Sequence, residues 1–214
     1  MTRPTGMNHY VINIGRQLGS GGKQIAERLA KELGVNCYDK KLLSLAARES
    51  GMDVNLFKEK DENKGFLQNL LHGRLIAFNP MDSDNLYENI LSDESIFKIQ
   101  SDTICHLAEN EDCIFLGRCA DYILRDHPRM VNIFISANEE DRLRNIAFRN
   151  GITQAQASQI MNREDIKRSK YYNFYTGKVW GAAASYDLCV NISRTGEDAA
   201  FQMILGYVRK VLSL

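Results

Sequence analysis

The stretch Gln17-Leu18-Gly19-Ser20-Gly21-Gly22-Lys23-Gln24 stands directly after an apolar run, Tyr10-Val11-Ile12-Asn13-Ile14, and directly before an amphipathic segment ending at Leu33. A glycine-rich turn in that position lets successive backbone N–H groups converge on a chain of phosphates. The following helix offers its positive end, and a lysine adds a point charge. The spacing approaches G-x-x-x-x-G-K-[ST], with Gln17 at the first glycine and Gln24 where a metal-touching hydroxyl is expected. Gly19, Ser20, Gly21, Gly22, Lys23 and Gln24 are therefore candidates for binding polyphosphate. The bland alternative is a tight turn with no ligand.

Other residues suited to the same chemistry recur along the chain. Phosphoryl transfer needs positioning and positive charge more than covalent chemistry, and in an open α/β sheet those groups gather beyond the carboxyl ends of the strands. Asp39 follows one short apolar run, Gly117-Arg118 follows another, and Arg163 and Arg168 lie in a segment dense in Arg, Lys and Tyr. A positive charge at a helix start is unfavourable, so Arg118 points to an anionic partner. Asp39 fits either a helix cap or a site carboxylate. Arg163 and Arg168 fit either a solvated helix face, with Glu164 pairing to Arg168 at i,i+4, or a lid over phosphates.

The elements that must position these residues follow from short β-branched runs alternating with helical periodicity, the pattern of a parallel sheet. Strands are predicted at 11–14, 35–38, 113–116, 131–135 and 188–192. Helices are predicted at 24–33, 41–49, 95–109, 120–125, 139–149, 153–172 and 196–211. Two segments break the alternation. Residues 53–93 read as a partly helical insertion with an apolar patch at Phe66–Leu71, and 149–175 as a lid segment. The whole of 1–214 reads as one α/β domain carrying both.

Composition narrows the function classes. Lys plus Arg and Asp plus Glu number 27 each, so no overall field favours a nucleic acid polymer or an anionic membrane. No run approaches the roughly 18 apolar residues of a membrane span, and a cytoplasmic location is expected. The five cysteines are an odd set without metal-ligand spacing and read as buried reduced thiols. The Phe66–Leu71 patch could serve a homodimer or fold back on the core.

At Ile14–Lys23, Cys37-Tyr38-Asp39, Leu116–Asp126, Tyr171–Gly177, Trp180-Gly181 and Tyr186–Asn191 the chain resembles the cytidylate kinase-like family of P-loop proteins, relatives of the nucleoside monophosphate kinases. The resemblance implies a three-layer P-loop kinase fold with a five-stranded parallel sheet, ATP as donor, Mg2+ as cofactor, and a nucleoside monophosphate, CMP or dCMP, as acceptor. In that pattern Gly19 to Lys23 wrap the donor phosphates and Arg118 holds the acceptor phosphate. Arg163 and Arg168 close on the transferring group, Asp39 lies near the metal with Gln24, the insertion binds acceptor, and Arg194 and Thr195 lie where the adenine ring is held. Lys40 and Lys41 replace the Thr-Gly pair usual after the aspartate, and Leu45 falls where an arginine for the acceptor base is expected. A kinase for another small acceptor, and a nucleotide-binding regulatory or interaction protein that has lost transfer, are the alternatives.

Overall fold

The computed structural model describes residues 9–39 and 83–214, with side chains from residue 97 onward in the second stretch. The helix expected at 41–49, the Phe66–Leu71 patch and most of the 53–93 insertion lie outside the described residues. Two compact units are present, one of residues 1–41 and 104–214 and the other of residues 42–103.

The first unit holds a five-stranded parallel sheet: β1 (Val11–Arg16), β2 (Asn36–Tyr38), β3 (Cys113–Phe115), β4 (Met130–Ser136) and β5 (Leu188–Asn191), in the order β2-β3-β1-β4-β5. β1 is central and its first four residues are buried, as expected of a strand covered on both faces. Asn13 is a polar residue within that run. Its amide nitrogen donates to Oδ1 of Asn132, the register partner on β4, at 2.9 Å, while its own Oδ1 is enclosed and accepts no hydrogen bond among the described residues.

Helix α1 (Gly22–Leu33) follows β1 and turns Ile25, Ala26, Leu29 and Ala30 inward. It ends at Gly34, whose left-handed φ of 67° and N–H bond to the Ala30 carbonyl close the last turn. Helix α2 spans Ser83–Asn110, α3 is the single turn Ala120–Ile123, α4 is Glu139–Asn150 and α5 is Gln154–Thr176. A 3-10 turn at Ala183–Ser185 precedes β5, and α6 (Ile192–Thr195) and α7 (Glu197–Leu212) close the chain. Thr153 and Gln156 form a capping box at the start of α5, satisfying two amides reciprocally. The core joins Ile12, Ile14, Ile114 and Ile133 of the sheet to Ile25 and Leu29 of α1 and to Phe201, Ile204 and Val208 of α7.

Three expectations are corrected. α2 begins at Ser83 rather than near 95; the polar run Ser92-Asp93-Glu94-Ser95, which resembles a helix start in sequence, lies inside it. Ile192, expected to end the fifth strand, instead opens the helical turn that carries Arg194 and Thr195; the Asn191 side chain caps it by accepting from Ser193 N. All the cysteines are free thiols, but Cys189 is exposed while Cys113 and Cys119 are buried. Among the described residues no helix is long and apolar enough to cross a membrane.

Candidate active site

The sheet order makes β1 the point where connections diverge, to β2 on one side and, after β3, to β4 on the other. Ligands of open α/β sheets bind in the crevice at such a switch point. The loop after β1 opens there. Gly19 and Gly21 hold left-handed φ values of 78° and 83°, Gly21 is the N-cap of α1, and Gly22 is its first helical residue. Ser20 is buried; its hydroxyl donates to the Gln17 carbonyl at 2.8 Å and ties the turn together.

The loop is fastened from α4 and α5. Asp165 accepts from Leu18 N at 2.9 Å, and Arg142 Nε donates to the Leu18 carbonyl at 2.8 Å. Asn145 donates to the Gly19 carbonyl at 2.9 Å, and Arg168 to the Arg16 carbonyl at 3.3 Å. Arg142 and Asp165 form an ion pair with each other, and Arg168 approaches the same carboxylate at 3.5 Å. Three backbone positions, 16, 18 and 19, are thus held by side chains that lie about 125 to 150 residues away along the chain. Sequence reasoning missed Arg142, Asn145 and Asp165 in this role, because no local spacing connects them to the loop.

Gly19 has no alternative residue. A Cβ there would lie 2.7 Å from the Arg142 carbonyl oxygen, on a backbone already left-handed. Gly19→Ala is expected to destabilise by about 1–3 kcal/mol and to weaken ATP binding at the displaced loop. Denaturant unfolding and ATP titration check this; unchanged values in both would contradict the loop geometry.

Two of the arginines expected from sequence come together. Arg118 follows Gly117 in an unusual turn in which Gly117, Arg118 and Cys119 all have left-handed φ, at 71°, 65° and 57°. Non-glycine residues in that region carry strain of order 1–3 kcal/mol, a cost concentrated at functional positions. The turn lifts Arg118 over the Tyr171 ring, 5.6 Å from its centroid. Arg168 comes from α5, with its pKa lowered chiefly by burial; Asp165 and Glu164 oppose that shift, and Arg118 adds to it. Between them lies Arg16, the last residue of β1, which sequence reasoning quoted in the motif but assigned no role. Burial and then the charges of Arg168 and Arg118 push its pKa down to about 10.

The other candidates are placed differently. Arg163 meets Glu164 at 3.2 Å and lines a cleft with Leu18, Gly19, Ile146 and Arg149. Lys23 is half exposed; its ammonium lies 3.4 Å from Asp39 and 3.6 Å from Glu27. Gln24 Oε1 is enclosed and accepts no hydrogen bond among the described residues. Arg194 is exposed, but its turn adjoins the loop: a Cβ on Gly21 would sit 3.3 Å from Ile192 Cδ1. The tyrosine cluster divides. Tyr172 donates to the buried Asp121 at 2.7 Å and stacks on Tyr186, docking α5 on the core, whereas Tyr171 stays with Arg118. Burial raises the Asp121 pKa, and the bond from Tyr172 and the nearby Lys178 oppose the rise.

Residues 11–194 match the model of the cytidylate kinase-like family. The chain belongs to that family. Within the curated proteins it is similar to a cytidylate kinase of Methanopyrus kandleri, 27% identical over a 212-residue alignment, with 94% of each chain covered. Among solved structures it is similar to an uncharacterised protein of Eubacterium ventriosum, with a TM-score of 0.70 at 27% identity over 94% of this chain and 98% of that one. The TT1252 protein of Thermus thermophilus shares the fold, with a TM-score of 0.50 at 17% identity over 94% and 97% of the two chains. The cytidylate kinase-like fold is the α/β P-loop kinase architecture expected from the sequence, and membership makes the chain a kinase-family phosphotransferase.

Proposed function

We propose that the chain transfers a phosphoryl group from ATP to a nucleoside monophosphate, with CMP or dCMP as the acceptor. The observation that carries this reading is the gathering of Arg16, Arg118 and Arg168 at the carboxyl end of β1 and β3, beside the glycine loop that begins α1. Clustered guanidinium groups repel one another, and a polyphosphate relieves that repulsion while the loop amides and the helix end receive its oxygens.

In this reading Gly19, Ser20, Gly21, Gly22 and Lys23 enclose the donor phosphates, and Arg194 and Thr195 lie along the adenine. Arg118 holds the acceptor phosphate. Arg168, and Arg163 from the neighbouring turn of α5, close on the group in transit. A phosphate oxygen of the acceptor forms a bond to the γ-phosphorus of ATP as the bridging oxygen to the β-phosphorus leaves with its electron pair. The products are ADP and the nucleoside diphosphate.

The residues present fit magnesium. Among the described residues no cluster of three or more His, Cys, Asp or Glu could hold a metal ion by itself. Gln24 offers its enclosed, unbonded carbonyl oxygen and Asp39 a carboxylate, the small number of hard oxygen ligands that suffices when phosphates supply the rest. Bound there, the ion would neutralise charge on the phosphate oxygens.

A second reading, nucleotide binding without transfer, draws on the ion pairs that turn Lys23 toward Asp39 and Glu27. Coupled ADP release with ATP, magnesium and a panel of nucleoside monophosphates separates the two. The kinase reading expects release that depends on CMP or dCMP. ATP binding with no acceptor-dependent release would favour the second reading.

A further inference from the structure

The loop motif can be laid on this chain in two registers. With Gly22 as its second glycine, the lysine position falls on Lys23. With Gly21 as its second glycine, the first glycine position falls on Arg16, the lysine position on Gly22 and the hydroxyl position on Lys23. The backbone favours the second, because Gly21 is the left-handed N-cap and Gly22 the first helical residue.

Side-chain space decides what this does to the missing lysine. A Cβ built on Gly22 would lie 2.6 Å from Arg16 Cβ and 3.1 Å from Arg16 Cγ. The Arg16 stem therefore occupies the volume in which a side chain at 22 would begin. Its guanidinium ends against the Gly117-Arg118 turn, where a Cβ on Gly117 would be 2.6 Å from an Arg16 terminal nitrogen. The side chain spans the crevice from the loop to the turn that carries Arg118. No carboxylate forms an ion pair with it among the described residues, although it is partly buried. Lys23, by contrast, is half exposed and already faces two carboxylates.

Resting on the kinase reading, we propose that Arg16 takes the part of the loop lysine, holding the terminal donor phosphate between the glycine loop and the Arg118 turn. Gly22 is glycine because Arg16 fills its place. Lys23 has a secondary part, keeping Asp39 in position. The guanidinium suits the role because it stays charged in a buried site and grips two phosphate oxygens at once.

The test compares wild type, Arg16→Gln, Lys23→Ala, Arg16→Gly and the double variant Arg16→Gly with Gly22→Lys, in ATP titration and in CMP-dependent ADP release. Arg16→Gln is expected to lower kcat by about 50-fold or more and to weaken ATP at least tenfold, as removal of a phosphate-holding charge does. Lys23→Ala is expected to cost less than tenfold in kcat and about threefold or less in ATP affinity. The double variant, which vacates the space and restores a lysine at 22, is expected to regain at least tenfold in kcat over Arg16→Gly. Equal losses in the two single variants, or a larger loss in Lys23→Ala, would overturn the assignment. Lys23 is half exposed, so that variant keeps the comparison decisive even if Arg16→Gly unfolds. If wild type bound ATP but phosphorylated no acceptor, the kinase reading would fall and the ATP affinities alone would judge Arg16.

Discussion

Replacing Arg118 by alanine is expected to lower kcat/KM for the acceptor by about 10²–10³-fold, the usual loss when one charge-stabilising donor is removed from a water-poor site. ATP affinity should change by less than about fivefold, because the donor loop lies on β1 and Arg118 on the turn after β3. The strained turn gives the expectation its weight. Arg118 and Cys119 keep left-handed backbone angles that cost conformational energy, and the result is to set the Arg118 guanidinium over the Tyr171 ring. Steady-state kinetics varying CMP at saturating ATP checks the split. A variant with unchanged acceptor kinetics would make Arg118 a structural residue stacked on Tyr171.

Replacing Asp165 by alanine is expected to have the largest effect on stability. Its carboxylate accepts from Leu18 N and pairs with Arg142, and the two side chains are only 16% and 8% exposed. Breaking a buried pair from one side leaves an uncompensated charge and costs about 3–5 kcal/mol. For a chain of this size that is a fall in Tm of roughly 6–20 °C. The loop loses its fastening at the same time, so ATP affinity should fall with stability. Changing both partners, Arg142→Met with Asp165→Leu, removes the stranded charge and should recover much of the Tm while leaving ATP binding weak. Recovery of both would mean that the pair stabilises the fold without shaping the loop. Thermal unfolding and ATP titration on wild type and the two variants check this.

The sheet was readable from sequence because each strand is a short apolar run closed by polar or glycine residues. The expected runs at 11–14, 35–38, 113–116, 131–135 and 188–192 differ from β1 to β5 by no more than two residues at any end. α5 begins at the Thr153 cap that its sequence signals, but it runs four residues past Tyr172, through an aromatic stretch without periodicity to mark its extent. The start of α2 was hidden because the polar run at 92–95 reads as a helix start.

The site was half legible. Glycine spacing, an arginine after a strand and a basic, tyrosine-rich helical segment are local signals, and they pointed to the loop, to Arg118 and to Arg168. What escaped depends on long-range geometry. Arg142 and Asp165 pair across two helices, and neither residue type nor spacing says that both reach Leu18. A charged residue at a strand end, such as Arg16, reads as solvent-facing. It is drawn into the crevice and partly buried here because Gly22 and Gly117 have no side chains to exclude it. Lys23 carried the strongest motif signal, yet its exposure and its two carboxylate partners are properties of the fold that a motif cannot contain.

The most direct measurement follows the γ-phosphoryl group itself. Wild-type protein is incubated with magnesium, CMP and ATP labelled at the γ-phosphate, and the products are separated. The account predicts label in CDP, appearing at the same rate as ADP and much reduced in Arg118→Ala. Label confined to ATP, or released only as inorganic phosphate while CMP stays unlabelled, would contradict transfer to a cytidine nucleotide.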